Sequence, residues 1–98
     1  MNIAMVEDEI GSLARNIAAS ELGSAVVDRV IVDNVLDSQD EPALKITIVL
    51  KNAKTLASHG VDVVARLRAG LRERDETRLP LIYWATTKEL ADSAGAEP

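Results

Sequence analysis

The 98-residue chain predicts an α+β fold, a two-layer sandwich with elements in the order α-β-β-α-β and a short final helix. In this arrangement a three-stranded sheet carries its helices on one face. Three observations predict it. Leu44, Ile46, Ile48 and Leu50 alternate with Lys45, Thr47, Val49 and Lys51, the period of two expected of a half-buried strand. Ile3, Val6, Ile10, Leu13 and Ile17 recur at spacings of three and four, which lines them on one helical face. Val64, Leu67 and Leu71, with Val63 beside them, repeat that spacing further on.

Each element follows from local chemistry. Residues 2–22 read as a helix: Asn2 can cap it, acids Glu7 to Glu9 favour its N-terminal half, and Gly23 suits a left-handed end. Gly11 sits mid-helix at a cost of up to about 1 kcal/mol. Residues 25–36 are dense in Val and Ile and read as a strand. Residues 37–42 are polar and short enough for a hairpin connection. The alternating strand covers 43–51, and a loop over 52–60 precedes a second helix at 61–75, with Ser58 as its candidate cap. Pro80 opens a third strand over 81–85, where proline is tolerated. Thr86 and Glu89 have capping-box spacing for a last turn at 87–92. The expected organisation is one domain over 1–92 and a flexible tail over 93–98. The order alone leaves open whether the third strand lies beside the first or the second; the helix between the second and third predicts a right-handed crossover.

Composition excludes several classes. There is no cysteine, so disulfides, thiolate metal sites and cysteine nucleophiles are absent. No apolar stretch approaches the roughly 18 residues that cross a bilayer, and the N-terminus lacks the basic start of a secretory signal, so a cytoplasmic, soluble protein without membrane partners is expected. One Tyr and one Trp are too few rings for a base-stacking platform. The net charge of −5 opposes non-specific nucleic-acid binding. The charge is uneven, however: residues 45–78 hold eight bases against four acids.

Few residues are placed for chemistry. The five glycines are too scattered to cradle a phosphate, so both nucleotide fingerprints are missing. His59, between Ser58 and Gly60, could serve an activated hydroxyl or an anion, but a lone histidine without a partner motif reads first as an exposed loop residue. Asp33, Asp37, Asp40 and Glu41 surround the hairpin loop without calcium-loop spacing and read as a solvated acidic loop. No metal, cofactor or catalytic residue is expected.

Two surfaces stand out. Arg66, Arg68, Arg72, Arg74 and Arg78 form a candidate anion or partner surface, although helical geometry scatters the first four around the axis. Tyr83 and Trp84 must point to opposite sheet faces, and Val49, Ile82 and Trp84 are the candidate contact residues of a face the helices leave uncovered. The order of elements resembles the N-terminal domain of RimP-type ribosome maturation factors; order alone is shared by unrelated proteins, so no residue role comes with it. The reading that results is a small non-catalytic protein-interaction module that binds another protein or a second copy of itself. The alternatives are an RNA- or ribosome-associated domain using 45–78, a small antitoxin-like partner protein, and an enzyme built on Ser58, His59 and nearby acids.

Overall fold

A computed structural model describes residues 6–54 and 56–95. The order is α1 (Glu7–Leu22), β1 (Val27–Leu36), β2 (Pro42–Leu50), α2 (Leu56–Glu73), β3 (Leu79–Thr86) and α3 (Thr87–Gly95). The strands lie in the order β1-β2-β3, with β1 antiparallel and β2–β3 parallel, so the third strand is beside the second. The fold is therefore the α+β two-layer arrangement expected, with a mixed three-stranded sheet.

β2 organises the core. Leu44, Ile46, Ile48 and Leu50 are fully buried, as their alternation requires, and pack with Ile10, Ala14, Ile17 and Ala18 of α1 and Val63, Leu67 and Leu71 of α2. Val64 is only half-buried, so Val63 rather than Val64 carries that turn of the α2 stripe. The two helices pack closely because α2 presents Gly70 to α1: a Cβ there would lie 3.3 Å from Leu13 Cδ2.

The ends of the elements differ from the expected ones for identifiable reasons. α1 begins at Glu7, where the Glu9 carboxylate accepts a hydrogen bond from the Val6 N–H; Asn2 and Ile3 lie outside the described residues. Gly23 ends α1 at φ 108° and ψ 133°, a positive φ that favours glycine but not the left-handed helical conformation. The hairpin turns on Asp37, whose carboxylate accepts the Gln39 and Glu41 N–H groups at 2.8 and 3.0 Å, with Asp40 at φ 61°. α2 starts at Leu56, inside the expected loop and five residues before the expected start; upstream of it Asn52 accepts a hydrogen bond from the Lys54 N–H at 3.1 Å. Ser58 thus lies within the helix and is not its cap. α2 stops at Glu73 in a Schellman closure, the Glu76 and Asp75 N–H groups reaching the Leu71 and Arg72 carbonyls at 3.0 Å each. Asp75 takes the left-handed position (φ 56°) that glycine usually fills. The Thr86–Glu89 capping box forms in both directions, at 2.9 and 3.1 Å, and α3 continues to Gly95, beyond the expected limit at residue 92 and into the segment read as a flexible tail; residues 96–98 lie outside the described residues.

Ile46 sits at 0% exposure in the central strand, so Ile46→Ala is expected to lower stability by about 2–5 kcal/mol in urea unfolding. Lys45→Ala, one residue away on the exposed side, is expected to cost less than about 1 kcal/mol.

Candidate functional site

The pairing register decides which face each β3 residue occupies. Ile46 faces Ile82 and Ile48 faces Trp84, and directly paired residues share a side. Ile82 and Trp84 therefore lie on the helix-covered face and pack against the core. This corrects the expectation that they join Val49 on the uncovered face. Val49 pairs with Ala85 and Arg29 on the opposite side and is itself fully buried. The aromatic that emerges there is Tyr83, 49% exposed, with Lys45 Nζ 5.5 Å from its ring centre.

Trp84 forms the floor of an open trough beside α2. Leu56, Gly60, Val61, Val64, Ala65 and Arg68 make up its remaining lining, around a volume of about 500 Å³. Gly60 is buried at its base: a Cβ there would fall 2.9 Å from Leu56 Cδ1 and 3.9 Å from Trp84 Cζ2. Val61 stands at the rim, 82% exposed. A second groove of about 360 Å³ continues past Arg68 along Arg72 to Leu79 and Pro80 at the start of β3. Among the described residues β3 pairs only with β2, and its outer edge runs unpaired alongside.

The five arginines do not form one surface. Arg66 bonds Glu21 on α1 at 2.6 Å and reaches the Ser20 hydroxyl at 3.4 Å, tying the helices together. Arg74 donates to the Gly70 carbonyl of its own helix at 3.0 Å. Arg78 donates to Glu76 at 2.8 Å and to Asn34 Oδ1 at 2.5 Å, and Asn34 in turn bonds Glu7. This chain joins β1, α1 and the approach to β3. The hydrogen bond to Glu76 holds the Arg78 guanidinium above its ordinary pKa, against the opposing effect of partial burial. Arg68 and Arg72 are one turn apart and exposed; Arg68 lines the trough, and both line the second groove, which Arg78 shares. The structure thus sets Arg68 beside Trp84 and Arg72 beside Arg68 and Arg78 in the adjoining groove, and leaves Arg66, Arg74 and Val49 elsewhere.

His59 acquires two neighbours that the sequence did not suggest. Its ring nitrogen and carboxylate oxygens of Glu21 and Asp62 lie within 4.8 Å of one another. His59 and Asp62 are exposed, and Glu21 already holds Arg66. The His59–Asp62 spacing of three was visible in the sequence; Glu21 joins them only through the α1–α2 packing. The hairpin acids do not converge: Asp37 binds its own loop backbone. No helix among the described residues is long and apolar enough to cross a membrane. No family model matches the chain, and neither a curated protein nor a solved structure matches it significantly.

The separation of the arginines has a measurable consequence. Arg78→Ala is expected to destabilise the fold by about 1–3 kcal/mol, because the Glu76 side chain it covers is 0% exposed. Arg72→Ala is expected to change stability by less than about 0.5 kcal/mol, because that side chain is exposed. Chemical denaturation of the two variants compares them directly.

Proposed function

We propose that this chain is a non-catalytic protein-interaction module whose docking site is the trough between α2 and β3. The observation that carries the reading is the conjunction at that trough. An apolar floor on Trp84 and Val64 with Arg68 on its wall, a strand edge unpaired among the described residues, and exposed Arg72 in the adjoining groove lie side by side. Strand edges recognise extended peptides through main-chain hydrogen bonds, and flanking pockets then select side chains. The volume of about 500 Å³ accommodates two or three apolar side chains. Arg68 and Arg72 favour carboxylates next to them. The partner that fits is an extended segment of another protein with apolar residues flanked by Asp or Glu.

The RNA reading draws less support. Phosphate backbones are bound by several free cations acting together. Three of the five arginines are engaged by the chain's own groups, and the net charge is −5. The single tryptophan is set against Gly60 rather than presented as a stacking surface.

Selection from a random displayed-peptide library tests the proposal. Enriched peptides are expected to pair apolar residues with adjacent acids and to bind with affinities on the order of micromolar by calorimetry. Val61→Glu and Arg68→Glu, both at exposed positions, are each expected to weaken binding by about tenfold or more without moving the melting temperature. Selected peptides indifferent to both substitutions would overturn the docking site. Salt-dependent binding of an RNA oligonucleotide that is lost in Arg68→Glu would replace it with the nucleic-acid reading.

A further inference from the structure

The far side of the sheet carries a different signal. β1 is the other edge strand, ten residues long, rich in Val and Ile and free of proline. Natural edges are shortened, bulged or charged toward their neighbours when they must stay unpaired. β1 has one irregularity, at Val27/Arg29, and is regular from there to Leu36. Its central sequence, Arg29-Val30-Ile31-Val32-Asp33, is symmetric in size and polarity about Ile31, with opposite charges at its two ends.

We infer that β1 is a homodimer edge, pairing antiparallel with β1 of a second copy about a two-fold axis at Ile31. The register follows from the residues. With Ile31 opposite Ile31 of the second copy, Arg29 faces Asp33 and Val30 faces Val32, and symmetry repeats both pairs. Shifting the register by two residues sets Ile31 against Asp33 or Arg29 and loses both charge pairings. Opposite charges facing across an antiparallel pair stabilise it, and like charges oppose it. Arg29 and Asp33 are both exposed, and neither has an ion-pair partner among the described residues; Lys45, across from Asp33, lies over the Tyr83 ring instead.

The helical layer agrees with the same axis. A groove of about 360 Å³ separates α1 from the β1 edge, with Arg29 and half-buried Val30 and Val32 on its strand side and Glu7 at its α1 end. α1 turns Asp8, Gly11, Ser12 and Arg15 toward it. Gly11 and Ser12 permit a second α1 to approach closely, and in an antiparallel arrangement Arg15 faces Asp8 of the second copy. A Cβ at Gly11 would touch only Val32 Cγ2, at 3.7 Å, so this glycine is not required by packing within one chain. The result is a continuous six-stranded sheet with an α2–β3 trough at each end. This surface is separate from the docking trough, so either proposal can fail without the other.

Sedimentation velocity and light scattering on the full chain test the inference, with charge reversal as the probe. The wild-type chain is expected to have the mass of two chains at about 100 µM. Arg29→Asp and Asp33→Arg each set like charges against each other at two symmetric places and are expected to weaken dimerisation by about tenfold or more. The double variant, Arg29→Asp with Asp33→Arg, restores both pairs in the opposite sense and is expected to return to near the wild-type dissociation constant. Gly11→Leu is expected to dissociate the dimer while keeping a folded monomer, read by circular dichroism. A wild-type monomer at that concentration, single reversals that leave the dimer intact, or a double variant no tighter than the singles would each overturn the inference.

Discussion

The in-register parallel pairing of β2 with β3 is the constraint on which the rest of this molecule depends. β2 has the stricter alternation, and its Leu44–Leu50 side chains fill the space under the helices. Pairing Ile46 with Ile82 and Ile48 with Trp84 assigns every β3 side chain to a face. A slip of one residue would exchange the faces, bringing Tyr83 beneath α2 and sending Trp84 outward. The trough between α2 and β3 is thus a consequence of strand register. Trp84 is its floor because Ile48 is core.

This also explains what sequence reading could and could not reach. The helix–strand order and the core face of β2 were legible because their periodicities are clean. The Thr86–Glu89 cap was legible because both partners are local. β3 was different: Leu81, Ile82, Tyr83 and Trp84 are apolar on both sides, so alternation alone leaves the face undecided, and the information sits in β2. The start of α2 was hidden because its first residue, Leu56, packs against the core and beside Trp84, a contact made only through the fold. Its end was hidden because Asp75 stands in a left-handed position where glycine would have signalled it.

The arginines carry the same lesson for the site. Their crowding in residues 66–78 suggested one basic surface, yet the partners that remove three of them are Glu21, the Gly70 carbonyl and the Glu76–Asn34 pair. Glu21 is 45 residues from Arg66 and Asn34 is 44 from Arg78, so only tertiary packing reveals these bonds. Ion pairs of this kind orient elements more than they stabilise them, especially where one partner is exposed, as Arg66 is. Of the five, Arg68 is left on the wall of the apolar trough and Arg72 in the groove that adjoins it.

The face assignment of β3 is open to direct measurement by methyl-labelled nuclear Overhauser spectroscopy. The account predicts contacts from the Trp84 indole to the methyl groups of Leu56, Val64 and Ile48, and none from Tyr83 to those groups. Contacts from the Tyr83 ring to Ile48 or Val64, with the Trp84 indole near Val49 or Thr47, would show the strand paired one residue out of step and would contradict the architecture on which the trough rests.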